Sequence, residues 1–310
     1  MASLLQLYGR RVWVVVDRRH VTGVQAASGL AETPEGWLLA CDDVPDMFLV
    51  DLEGQVQGQY AISAAPPVLV DGRVPKKHKR DFESIADYRQ GRDTHFWVIG
   101  SGSKLPQRSY IVQASWQGGL KSVKEIQAER LYKHLMSVSG ITEESLNIEG
   151  AAIFDKKIIL LNRGTNQTLV MDQSAFGRFL DAGCTGAVPD VQVHGYSLPD
   201  INGVQLGFSG SCTDLRRNRI YFSASAEATD NWVDDGQVLG SFIGWIVRPT
   251  AADGGEMHLV PVVDEQAELL PLKIEAIGLL PAVDSKVRML ALTDSDGGES
   301  EMLVLEMQTW

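Results

Sequence analysis

A chain of 310 residues with a formal net charge of −12 lacks the basic surface that nucleic acid or an anionic membrane selects, and it suits cations instead. The opening MASLLQLYGRRVWVVVDRR has arginines on both sides of a short apolar run and no small-residue cleavage site, and no stretch is long enough to span a bilayer; a cytoplasmic protein is expected. Thirty scattered glycines and many short Val/Ile/Leu runs point to an all-β chain, and Cys41, Cys184 and Cys212, with no CxxC spacing, are expected to be reduced and mostly buried.

In chain order, one unit recurs. Its clearest copy is LNIEGAAIFDKKIILLNRG, from Leu146 to Gly164: Glu149 and small residues, a turn at Asp155 to Lys157, the apolar run Ile158 to Leu161, and a stop at Asn162-Arg163-Gly164. This reads as a hairpin whose antiparallel pairing places Glu149 and Arg163 at one edge of the sheet. An earlier copy has Ser28, the run Trp37 to Ala40 and a stop at Asp42-Asp43, and the next has Glu83, HFWVIG and a stop containing Ser101, Ser103, Lys104 and Arg108. Later copies have Ser211, Ile220 to Phe222 and a stop at Ser223 to Glu227, and then Glu275 with Asp294-Ser295-Asp296. From Ser28 to Trp37, Glu149 to Ile158 and Ser211 to Ile220 is nine positions each, so three units align without a gap.

Third strands are expected at Met47 to Leu52, Ser109 to Trp116, Thr168 to Gln173, Ser241 to Val247 and Glu301 to Met307, and fourth strands at places such as Val191 to Leu198 and Met257 to Val263. Four-stranded antiparallel units repeated radially make a β-propeller. The expectation is a single domain over residues 1–310 with five blades, or six if a long inter-unit segment hides a degenerate one. The run Arg11 to Val16 would supply the outer strand of the last blade. Between the second and third units, Ala128 to Ser137 reads as a helix stopped by Gly140. Pro75 to Arg80 is a basic loop facing water or holding an anion near Glu83.

First strands of a propeller line its channel, so Ser28, Glu83, Glu149, Ser211 and Glu275 are expected to converge. Carboxylates that close either take up protons or share a cation. All-oxygen ligands suit Ca²⁺, with Mg²⁺ second. The structural alternative is that these residues satisfy neighbouring backbone N–H groups or pair with Arg163. The strand stops form an outer shell in which Asp42, Lys104, Arg108, Arg163, Asp294 and Asp296 would bind a small anionic substrate, with Asp43 or Glu227 as base. The six scattered histidines show no register with Ser or Cys, so a nucleophilic triad has no support.

The words LLACDD, FLVDL, IEGAAIFDKKIILLNR, GFSGS and KIEAIG, with Ser, Glu, Glu, Ser, Glu at inner-strand starts, resemble the calcium-activated nucleotidases, or soluble apyrases. The repeated carboxylate words and the LTDSD close are also similar to bacterial phytase-like and esterase-like propellers. The resemblance implies a five-bladed propeller in which Ser28, Glu83, Glu149, Ser211 and Glu275 each hold calcium, and a metal-dependent hydrolase acting on a phosphorylated or otherwise anionic small molecule. A non-catalytic propeller with a structural ion is the reading from another class; a sugar-lactone hydrolase would need Asn and Asp in place of the ring serines.

Overall fold

Turn formers alternate with short β-branched and leucine runs, and the chain accordingly folds as hairpins. The computed structural model describes residues 11–63, 68–91, 93–228, 236–284, 286–294 and 299–309. Three four-stranded antiparallel sheets follow one another. The first comprises β2 (Ala27–Thr33), β3 (Gly36–Cys41), β4 (Asp46–Val50) and β5 (Val56–Ala61). The second comprises β6 (Phe82–Gln90), β7 (Asp93–Gly100), β8 (Tyr110–Trp116) and β9 (Leu120–Gln127), and the third β10 (Ile148–Phe154), β11 (Lys157–Asn162), β12 (Gln167–Asp172) and β13 (Gln192–Gly195). A two-stranded ribbon, β14 (Asp200–Ile201) and β15 (Val204–Gln205), leads into a fourth run: β16 (Gly207–Asp214), β17 (Arg219–Ala228), β18 (Gln237–Val247) and β19 (Glu256–Val263).

The last run, β20 (Lys273–Val283), β21 (Lys286–Asp294) and β22 (Glu301–Thr309), takes its outer strand from β1 (Arg11–His20), which pairs antiparallel with β22 from Arg11↔Thr309 to His20↔Glu301. This is the clasp expected from the apolar run after Arg11. Its second bond was not expected: β1 also pairs in parallel with β19 at Trp13↔Val262 and Val14↔Val263, fusing the last two units into one eight-stranded sheet. Both faces of β1 are apolar near its start, so Val12 and Val14 bury against Val263 while Trp13 packs edge-on to Tyr221. The innermost strands β2, β6, β10, β16 and β20 pack side by side in that order, and β20 returns to β2.

Every innermost strand has a bulge at its start. Pairing skips one residue between Ala27 and Gly29, Phe82 and Ser84, Ile148 and Gly150, Phe208 and Gly210, and Ile274 and Ala276. The skipped residues are Ser28, Glu83, Glu149, Ser209 and Glu275. Such an insertion re-aims one side chain and sharpens local twist. A small residue follows each because the neighbouring strand is close: a Cβ at Gly210 would lie 2.5 Å from the Glu275 carbonyl oxygen, and one at Gly29 would lie 2.9 Å from the Ile85 side chain.

Among the described residues two helices pack on the sheets. α1 (Glu129–Ser139) ends on Gly140, whose left-handed φ of 73° lets its N–H donate to the Met136 carbonyl. α2 (Gln173–Asp181) was not foreseen; the Asp172 carboxylate accepts from the Ala175 N–H and starts the helix directly off β12. No helix among the described residues is long and apolar enough to cross a membrane. The three cysteines are free, Cys41 and Cys184 buried and Cys212 half-buried.

Trp13 is fully buried in the seam between the last two units. Trp13→Ala is expected to cost about 3–5 kcal/mol of unfolding free energy, the scale of a buried aromatic truncation, read as a lower urea midpoint.

Candidate functional site

The bulged ends of the innermost strands and the stops of their partners enclose a polar cavity of about 320 Å³. Ser28, Glu83, Glu149 and Glu275 line it, with Asp42, Asp43 and Asp294 from the strand stops. Four of the five expected ring residues therefore meet. Ser211 does not. It is the residue two beyond the bulge, and it faces a separate chamber of about 1220 Å³ at the other end of the channel. The ungapped register misplaced it because the hairpin turns differ in length. Asp155-Lys156 joins the paired residues Phe154 and Lys157, whereas Leu215 to Asn218 join Asp214 and Arg219. The counterpart of Ser28 is Ser209. These two serines act alike as tethers: Ser28 Oγ donates to the Phe82 carbonyl at 2.5 Å and Ser209 Oγ to the Ile274 carbonyl at 2.6 Å, each fixing the residue before the next glutamate. Leu30, Ile85, Ala151 and Ile277, each two beyond its own bulge residue like Ser211, line that second chamber and not the first.

The charged groups organise into two networks. On one side, Glu149 accepts from Asn147 Nδ2 at 2.6 Å and from Arg163 at 3.2 Å, Arg163 reaches Glu227 at 3.1 Å, and Lys273 bridges Glu275 at 2.9 Å and Glu227 at 3.5 Å. Arg163 and Glu227 are thus an internal relay, and Glu227, which also accepts the Gly236 N–H at 2.9 Å, is too fully engaged to serve as a base. On the other side, Asp81 is the hub. It accepts from Ser101 Oγ at 2.5 Å and Arg108 at 2.8 Å and faces Lys79 at 3.3 Å. Lys79 also contacts Asp42, and Arg73 lies 3.2 Å from Asp43. Asp81 holds a left-handed backbone, φ 60°, stabilised by the Ser101 N–H donating to its carbonyl. Tyr132 of α1, whose hydroxyl donates to the Gly100 carbonyl at 2.5 Å, supports the loop that carries Ser101 and Ser103.

Lys104 is exposed and outside the cavity, so it is replaced as the nearby ammonium by Lys79 and Lys273. Asp296 lies outside the described residues. Asp81, Asn147 and Lys273 were missed although a signal existed. Asp-Phe-Glu, Asn-Ile-Glu and Lys-Ile-Glu place a polar residue two before each ring glutamate, and all three of these residues line the same cavity.

Carboxylates outnumber cations here, and their protonation shows it. Burial, with Asp81 and Asp43 adding repulsion that Lys79 opposes, pushes Asp42 up to about 7. Burial, reinforced by Asp81, Asp42 and Glu149, raises Glu83 well above the usual carboxylate range. Glu149 is lifted to about 7 by burial and Glu275 against the pull of Arg163. Oxygens of Asp42, Asp81 and Glu83 lie within 4.8 Å of one another. One oxygen of Asp42 and one of Asp43 are buried without a hydrogen-bond partner. Hard, clustered and undersatisfied oxygens of this kind fit a hard divalent cation. Glu149 and Glu275 fit it less well, being already matched by Arg163 and Lys273.

Because Asp42 and Glu149 bind protons more tightly folded than unfolded, their stabilisation is complete below about pH 4, the ordinary carboxylate range. It falls as pH rises through about 7. In metal-free buffer the urea midpoint is expected to drop across this window, and Asp42→Asn/Glu149→Gln should flatten the profile; an equally steep variant would contradict the assignment.

Comparison with known proteins agrees on the fold and is silent on chemistry. The Myxococcus xanthus glutaminyl cyclase is similar in structure, with a TM-score of 0.54 at 10% identity over 97% of this chain and 98% of that one. A GH43 β-1,3-galactosidase gives 0.51 at 9% identity over 96% of this chain and 60% of that one. At such identity the likeness shows a propeller-like all-β architecture alone. No curated protein matches. No apyrase-like or phytase-like family is supported, whereas a model of a family of unknown function, DUF6929, matches residues 23–307; the chain belongs to that family.

Proposed function

We propose that the chain is a single five-bladed propeller acting as a cation-dependent hydrolase of a small anionic molecule, with Ca²⁺ favoured over Mg²⁺. The observation that carries this reading is the group Asp42, Asp81 and Glu83, whose oxygens crowd within 4.8 Å inside an enclosed polar cavity. The closed succession of four-stranded units supports the blade count. Propeller-like neighbours that include a glycosidase and a cyclase are compatible with a catalytic role, though the fold alone assigns none.

Asp42, Asp81 and Glu83 would hold the cation, which when bound supplies Lewis acidity toward a substrate oxygen and a more acidic water. Arg73 and Lys76 line the mouth and attract the anion. Arg108, fixed by Asp81 at 2.8 Å and by Ser103 Oγ at 2.8 Å, lines the cavity and adds positive charge toward an anionic substrate. Asp43 lines the cavity with one oxygen 3.2 Å from Arg73 and would take the proton from attacking water; burial raises its carboxyl, and Arg73 opposes the rise. The competing reading, a scaffold with a structural polar channel, draws on the self-neutralised chain from Glu149 through Arg163, Glu227 and Lys273 to Glu275.

Purified protein assayed on nucleotides, phosphate esters and lactones is expected to turn over an anionic substrate with calcium and to stop with chelator. Asp43→Asn should lower kcat by about 10²–10⁴-fold, the range of a general base, and Glu83→Gln should abolish the calcium-dependent rise in Tm. No turnover on any of these substrates favours the scaffold.

A further inference from the structure

The cluster that would hold a cation already contains one of the protein's own. Lys79 Nζ contacts Asp42 and lies 3.3 Å from Asp81, two of the three carboxylates concerned. With the acid oxygens all within 4.8 Å of one another, the space they share admits one positive charge. An ammonium and a divalent ion placed there together would repel strongly in a poorly solvated site. We propose that Lys79 is a built-in counterion, which leaves the cluster when a divalent cation enters and thereby sets the affinity of the site. This rests on the cation reading above and adds the residue that regulates it.

The geometry favours exchange over permanent occupation. Lys79 and the Arg108 guanidinium on Asp81 together leave the cluster short of charge and of ligands: one oxygen each of Asp42 and Asp43 has no partner, and the Glu83 side chain makes no hydrogen bond or ion pair among the described residues. A calcium ion takes about 6–8 oxygens and would engage them. Lys79 can leave without moving the chain. Its neighbour Arg80 is clamped over the Tyr110 ring at 3.6 Å and to Glu125 at 3.0 Å, the His78 N–H donates to the Pro75 carbonyl at 2.7 Å, and the Val74 N–H to the Asp43 carbonyl at 2.7 Å. The flexible four-carbon stem swings on that fixed base. Lys76, exposed at the mouth, shows that an ammonium is accommodated there. Arg108, held between Asp81 and Ser103, has no such freedom.

The test is calcium titration by calorimetry and thermal melting of the metal-stripped full chain, as wild type, Lys79→Gln and Lys79→Arg. Lys79→Gln is expected to bind calcium roughly tenfold tighter or more, the scale on which one adjacent like charge acts, and Lys79→Arg no tighter than wild type. Wild type binding calcium as tightly as Lys79→Gln, or more tightly, overturns the counterion role and leaves the cation site standing. No binding by any of the three overturns both. Should Lys79→Gln fail to fold, wild type answers alone: acetylation of Lys79, mapped by mass spectrometry, is expected to rise several-fold with saturating calcium, and unchanged labelling overturns the exchange.

Discussion

One inserted residue at the start of each innermost strand determines what this protein can do. Without the bulge, strict alternation would turn every second side chain toward the channel, and the residues at its mouth would be those of the ladder. With it, Ser28, Glu83, Glu149, Ser209 and Glu275 are released from pairing and aimed inward. The small residue behind each bulge is the geometric condition for this, because neighbouring strands approach closely enough to exclude a larger one. The two hydroxyl positions tie one strand to the next, and the three carboxylate positions carry charge. The same device thus yields both cohesion and a polar centre.

The charge so gathered is divided unequally. Around Glu149 and Glu275 the protein supplies Arg163 and Lys273 and settles the electrostatics internally. Around Glu83, Asp42 and Asp81 it supplies Lys79 and Arg108, yet one oxygen of Asp42 and one of neighbouring Asp43 stay unmatched. Buried carboxylates in that condition hold protons or seek cations, which explains why Asp42 and Glu83 shift upward despite a lysine at hand. The asymmetry separates a self-neutralised half of the cavity from one that keeps unmatched oxygens.

Much of this was legible in the residues. The recurring hairpin, the third strands and the clasp from Arg11 onward follow from apolar runs between turn formers, and Glu83, Glu149 and Glu275 from their repeated register. Ser209 was not legible, because the register was counted across a turn whose length the sequence does not reveal: four residues after Asp214 against two after Phe154. Lys79 was hidden for a different reason. A run of basic residues reads as a solvated loop, and only folding shows that one of its lysines turns inward while Arg80 stacks on Tyr110. The helix after Asp172 escaped because its apolar residues, Phe176, Phe179 and Leu180, are few and its start overlaps a strand end.

The double pairing of β1 reaches beyond architecture into biosynthesis. β1 is made well before both strands it joins, β19 and β22, which lie far later in the chain. Until those strands emerge, a valine-rich ribbon with two unsatisfied edges must wait, which exposes it to chaperones and to mispairing with other nascent copies. Ring closure must accordingly await the synthesis of β22, and conditions that slow elongation lengthen the vulnerable interval without altering the finished molecule.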